Sequence, residues 1–153
     1  MRKTLPLLVA LLMTAPSWAE QTIERSPSAD GASVSFVNLQ DGSVVPPRFT
    51  VRFGIAGMGV APAGVAIENT GHHHLLIDVE ELPPLDRPLP ATDQIIHFGK
   101  GQSQTELNLP EGTHTLRLLL ADHRHIPHDP PVVSEPITIV VEAGAPAPDA
   151  GDG

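Results

Sequence analysis

The 153-residue sequence carries nine basic and eighteen acidic side chains, a formal net charge of −9, eight histidines and no cysteine. That acidity disfavours nucleic acid and anionic lipid as partners and mildly favours cations, while the missing thiols exclude both a disulfide scaffold and a thiolate metal site. Seventeen prolines and thirteen glycines, against one Trp, no Tyr and four Phe, describe frequent turns around a small aliphatic core and leave little room for helices.

Residues 1–19 read as a secretory leader. Arg2 and Lys3 give a positive start, Leu5 to Met13 form an apolar run too short to span a bilayer, and Ser17-Trp18-Ala19 places small residues where a signal peptidase reads. A periplasmic mature chain is therefore expected from Glu20. No later run approaches the roughly 20 apolar residues of a membrane helix, so no transmembrane segment is expected in it. Residues 20–32 are polar and Pro/Ser/Gly-bearing, a flexible lead-in. Val34 and Phe36 then alternate with Ser33 and Ser35 as a first strand, closed by Asp41-Gly42. Phe49, Val51 and Phe53 alternate with Thr50 and Arg52 in a half-buried strand. Residues 54–71 read as a long Gly/Pro/Ala-rich loop holding Met58, the one methionine beyond the leader, and loops of that length are commonly functional.

Gly71-His72-His73-His74-Leu75-Leu76-Ile77-Asp78 opens the next strand. In extended chain His73, Leu75, Ile77 and Val79 share one face, and His72, His74, Leu76 and Asp78 the other. The first set is the more apolar and is assigned inward. Pro83-Pro84 and the run from Pro88 to Pro90 break the chain, Ile95 to Phe98 is a short strand carrying His97, and Thr105, Leu107 and Leu109 mark another. From Gly112 to Asp122 the even positions Leu116, Leu118 and Leu120 form an inward face. His114, two residues past Gly112, takes the place of the tyrosine that makes the corner hydrogen bond of immunoglobulin-like sandwiches. Residues 123–133 are a histidine- and proline-rich loop, Ile137, Ile139 and Val141 the last strand, and 143–153 an Ala/Pro/Gly/Asp-rich tail expected to be disordered. The fold class is all-β: an antiparallel immunoglobulin-like β-sandwich of about seven strands, one domain over 33–142.

In that topology the 73–80 strand pairs antiparallel with the 113–122 strand, and the 95–98 strand returns along its other edge. His72 and His74 then meet His97 and the 123–133 loop at one pole, while His114 starts its strand at the other. His72, His74, His97, His125 and His128 are the candidate metal ligands. Two histidines at i and i+2 on one strand face sit roughly 6.5 to 7 Å apart at the backbone, close enough to reach one ion. Imidazole suits copper, zinc and nickel, so Cu(II) is expected first and Zn(II) second, with no organic cofactor. His73, His123, Met58, Asp122 and Asp129 are auxiliary candidates, the two carboxylates as ligands or as groups that orient a ring. Each also has a plainer role: His73 as a buried core ring, Met58 as a loop anchor, Asp122 and Asp129 as turn formers, and His114 as a structural corner. Asp78 lies too far along its strand to ligate. Ser103 and Ser134 stand in no nucleophile-elbow context and no cysteine is present, so no enzyme is expected. The expected function is a periplasmic metal carrier or store. The alternative is a non-catalytic interaction module for an envelope protein whose histidines only order loops, and a metal-dependent enzyme ranks third.

These residues also carry a family resemblance. The stretches Gly57 to Gly64, Gly71 to Asp78, His97-Phe98-Gly99-Lys100-Gly101-Gln102, Gly112 to Leu116, and His125-Ile126-Pro127-His128-Asp129-Pro130-Pro131 followed by Ser134-Glu135 resemble the DUF4399 family, small exported bacterial domains of unassigned function. The resemblance spans about residues 33–142. It implies a single exported domain and supplies no activity or ligand. In that family Gly-Gln-Thr-Glu usually follows the His97 strand, whereas here Ser103-Gln104 intervenes before Thr105-Glu106.

Overall fold

The computed structural model describes residues 23–148, so the expected leader, the first lead-in residues and the end of the tail lie outside the described residues. Nine strands follow in chain order: β1 (Ser33–Phe36), β2 (Val44–Val45), β3 (Arg48–Ala56), β4 (Gly59–Val60), β5 (Thr70–Ile77), β6 (Ile95–His97), β7 (Gln104–Asn108), β8 (Gly112–Ala121) and β9 (Ile137–Val141). Among the described residues there is no helix. One sheet has the order β1-β3-β7, all antiparallel. The other runs β2-β9-β8-β5, and β4 and β6 take successive parts of the remaining edge of β5. This is the all-β sandwich, with immunoglobulin-like connectivity, that the alternation implies.

The alternation also sets the core. Phe49, Val51 and Phe53 of β3 are buried while Thr50 and Arg52 are partly exposed, so one face of the first sheet points at the second. Opposite them lie Leu75 and Ile77 of β5, Leu116, Leu118 and Leu120 of β8, and Ile139 and Val141 of β9. Burying each such side chain is worth roughly 1.5 to 3 kcal/mol.

Three features differ from the sequence expectation. There are nine strands rather than seven, because β2 and β4 are two-residue strands that pair parallel, with β9 and β5 respectively. Pairs that short carry too little periodicity to be seen in a sequence. The supposed 54–71 loop is shorter than expected, since β3 continues to Ala56, Gly59 and Val60 form β4, and β5 begins at Thr70. Finally, the outer face of β5 is not a surface. Leu76, Leu119 and Ala121 pack with Leu89 and Ile95 into a second apolar cluster, and Val79, Leu82 and Leu85 of the 78–94 segment lie over it. Strands β5 and β8 are thus covered on both sides, and the unbroken apolar run Leu118-Leu119-Leu120-Ala121 is the mark of that double burial.

The pole away from the histidine triplet is closed by His114. Its Nε2 is 2.9 Å from the Pro110 carbonyl and its Nδ1 2.7 Å from Asp78 Oδ2. Both partners can only accept, so both ring nitrogens donate and the pair is imidazolium with carboxylate. Asp78 Oδ1 accepts from the Thr115 amide at 2.8 Å. The carboxylate joins the end of β5 to the start of β8, far from the triplet.

Candidate metal centre

The ladders deliver the imidazoles. His74 lies opposite His97 in the β5–β6 register, and His72 opposite Ala121, the last residue of β8. Just beyond Ala121 the chain turns back. Asp122 O accepts from the His125 amide at 2.9 Å, the Asp122 amide donates to Ile126 O at 2.9 Å, and Ala121 bridges to Pro127. This is a three-residue hairpin loop whose final position is left-handed. That position is held by His125, with φ +66°. Glycine is the usual occupant, because a side chain there is strained. The Asp122 carboxylate fastens the turn, accepting from the Arg124 amide at 2.8 Å and the Ile126 amide at 3.1 Å through Oδ1.

Four rings meet as a result. Centroids lie 4.8 Å apart for His72 and His74, 4.9 Å for His72 and His97, 5.0 Å for His72 and His125, and 4.4 Å for His97 and His125. His72, His74 and His97 each offer a ring nitrogen, and these three atoms lie within 4.8 Å of one another. The Nε2 atoms of His97 and His125 are 2.9 Å apart. A metal held at about 2.0 to 2.1 Å by neighbouring imidazoles needs nitrogens roughly 2.9 to 3.4 Å apart. The His97–His125 edge already meets that, and the edges among His72, His74 and His97 must close by at most about 1.9 Å.

His72 and His74 are 0% and 1% exposed. Both ring nitrogens of His72 and Nδ1 of His74 are buried without a hydrogen-bond partner among the described residues. Leaving buried polar groups unmet costs about 1 to 3 kcal/mol each, and a bound cation would satisfy lone pairs that no group among the described residues does. The protonation state suits that role. Burial, reinforced by His97 and His125, lowers the His72 pKa to about 4. Burial and the neighbouring imidazoles lower His74 to about 3. His97 is lowered by burial and then by His125. These rings are neutral near pH 7, and a neutral ring is the form that ligates.

Two local features hold and expose the cluster. A Cβ on Gly99 would fall on the His97 ring, so the ring folds back only because residue 99 has no side chain. On the outer side, a cleft of about 210 Å³ runs between His74, His97, His125 and the segment Pro88-Leu89-Pro90-Ala91. The Leu89 amide donates to His125 O at 2.9 Å, which ties that segment to the turn. Sequence reasoning missed this wall. Its signal was Leu89, an apolar residue between two prolines in a segment otherwise read only as a break.

The other candidates stand apart from the four rings. His128 is buried, with Nε2 3.2 Å from Thr70 O; burial lowers its pKa, against hydrogen bonds to Leu120 and Thr70 that raise it. His73 points into the sandwich, 5.2 Å from the Phe53 ring, as its face assignment required. Neither of its ring nitrogens has a partner among the described residues, and burial lowers its pKa to about 4. His123 is partly exposed on the hairpin loop, where its carbonyl accepts from the Gly64 amide at 2.9 Å. Met58 packs on the main core. Asp129 is exposed and pairs with Arg25 at 3.3 Å.

Asp122 is buried and acts on the rings only through the turn and its charge. Burial raises its pKa, but hydrogen bonds from the Ser26 hydroxyl, the Arg124 and Ile126 amides and the Arg124 guanidinium outweigh this and hold the carboxyl below its ordinary range. The Ser26 hydroxyl donates at 2.7 Å, and the Arg25 guanidinium donates to the carbonyls of Pro127 and His128. Part of the expected lead-in thus lies across the histidine loop, an arrangement that no local pattern in residues 24–28 announces.

Residues 51–142 match the family model described as "Domain of unknown function (DUF4399)". No curated protein and no solved structure matches the chain.

Proposed function

The chain belongs to the DUF4399 family, whose description assigns no role, and from its histidine pole we propose a periplasmic transition-metal carrier or store that takes copper first and zinc second. The observation that supports this is His72, with both ring nitrogens buried and without a hydrogen-bond partner among the described residues, inside a ring of three further imidazoles. An all-imidazole set without thiolate suits Cu(II) and Zn(II), and affinity order places copper ahead. The cleft beside His97 leaves the site accessible, as loading and release require. A structural site closed on all sides would serve neither.

A second reading has its own support. The His97–His125 hydrogen bond of 2.9 Å joins β6 to the hairpin turn without any ion. In that reading the histidines order loops, and the protein serves the envelope as an interaction module.

Calorimetric titration of the purified chain with Cu(II) and Zn(II), beside a His72→Ala/His74→Ala variant, separates the two. The expected outcome is binding tighter than about 10 μM, roughly −7 kcal/mol, which the double variant loses. No heat with either ion would overturn the carrier reading, and metal-free capture of an envelope protein would favour the module.

A further inference from the structure

The four imidazoles are not equivalent. His72, His74 and His97 stand on paired strands, locked by the β5–β6 and β5–β8 ladders, and their ring nitrogens fall within one 4.8 Å set. His125 stands on a turn, at a strained backbone position with φ +66°. Its ring centroid is 6.1 Å from that of His74, the longest separation in the cluster, and its nearest nitrogen contact is with His97 alone. The cleft bordered by Pro88 to Ala91 reaches the cluster and is lined by rings of both classes, His74 and His97 from the strands and His125 from the turn. Its volume of about 210 Å³ is below the roughly 300 Å³ at which pockets for drug-sized ligands begin. It has room for a single side chain or a small molecule.

Resting on the metal reading above, we propose that the site is a three-histidine core with one exchangeable position, which His125 yields to an outside imidazole entering through the Pro88–Ala91 cleft. The partner class is then a histidine-bearing acceptor, to which the ion passes one ligand at a time. The chemistry is a ligand exchange with no redox step. The incoming ring nitrogen forms a bond to the ion, the bond to His125 Nε2 breaks, and His125 is left as a neutral ring lining the cleft, its hydrogen bond with His97 restored only when the ion leaves and frees the His97 nitrogen. An acceptor histidine presents the same donor as the site itself, so each exchange conserves the ligand set and imidazole's suitability for copper and zinc is kept throughout. The asymmetry of the scaffold favours His125 as the ligand that leaves, because the other three rings stand on paired strands and His125 stands on a turn.

The test uses the Cu(II)-loaded chain, with free imidazole as the probe and a histidine-containing tripeptide as the acceptor. Visible absorption and electron paramagnetic resonance follow the coordination sphere, and stopped-flow follows transfer. Imidazole is expected to shift the native spectrum saturably. The His125→Ala variant is expected to keep its copper, to bind at least about tenfold weaker and to take imidazole at least about tenfold more tightly than the native chain. Ala91→Trp, an exposed substitution at the mouth of the cleft, is expected to slow transfer to the tripeptide about tenfold or more. Three results would each overturn the proposal: a native spectrum indifferent to imidazole, complete loss of copper in His125→Ala, or unchanged transfer in Ala91→Trp. Failure of the native chain to bind copper at all is a different result, and it removes the metal reading itself.

Discussion

At the scale of the single residue, His125 shows how an imidazole is held against local preference. A non-glycine residue in the left-handed region costs roughly 1 to 2 kcal/mol, and the turn after β8 accepts that cost to aim an imidazole at His97. Two substitutions isolate the backbone term. His125→Ala and His125→Gly both lose the ring and its hydrogen bond, but only glycine relieves the strain. Urea unfolding of the metal-free variants should therefore place His125→Gly above His125→Ala by about 1 kcal/mol. Equal midpoints would remove strain from the description of this turn. Gly99 is the complementary case. A methyl group there collides with the His97 ring, so Gly99→Ala should weaken Cu(II) binding about tenfold or more, read by calorimetry, with little loss of secondary structure by circular dichroism. Affinity equal to the native value would show that His97 does not need its present rotamer.

At the scale of elements, the two poles of β5 use histidine in opposite ways. At the start of the strand the rings are buried, their pKa values are lowered, and they lack enough partners. Past its end, at the foot of β8, His114 is fully partnered. Burial lowers the His114 pKa, but the bond to Asp78, the bond to Pro110 O and the Asp78 charge together raise it above the ordinary value. A raised folded-state pKa gives stability that is complete below the unfolded value, about 6.5, and that fades as pH rises through the folded one. Asp78→Asn should accordingly destabilise the protein more at about pH 6 than at about pH 9. The difference should be at most about 1 kcal/mol, because Asp78 is 43% exposed. A penalty independent of pH, measured by denaturant unfolding, would mean that the pair acts only as neutral hydrogen bonds. The long 78–94 segment also acts as an element here. Its leucines seal the outer face of β5, and Leu89 brings the cleft wall against the turn.

At the scale of the whole molecule, a metal that binds the folded chain and not the unfolded one must stabilise it by mass action. At a free ion concentration about 100 times Kd the gain is about 2.7 kcal/mol, which for a domain of this size raises Tm by roughly 5 to 10 °C. Differential scanning calorimetry with Zn(II), which avoids copper-driven oxidation, should show that shift in the native chain and lose most of it in His72→Ala/His74→Ala. An equal shift in both would place binding elsewhere. The effect would be global because the four imidazoles come from β5, β6 and the turn after β8, so an ion at their junction would tie together segments distant in sequence.

The sequence by itself determined the β-sandwich, the antiparallel pairing of the histidine strand with the 113–122 strand, the inward His73, the His114 corner and the meeting of His72, His74 and His97. These follow from the two-residue period of extended chain and from the few ways short antiparallel strands connect, and both are local or topological rules. Tertiary structure alone decided the rest. It buried the outer face that carries His72 and His74, because leucines of a proline-broken segment found an apolar sheet to cover. It set the His128 ring on the Thr70 carbonyl, outside the cluster that His125 joins as the topology implied, and it gave His125 the left-handed backbone that the sequence did not announce. Such choices depend on contacts between residues far apart in the chain, which no periodicity encodes.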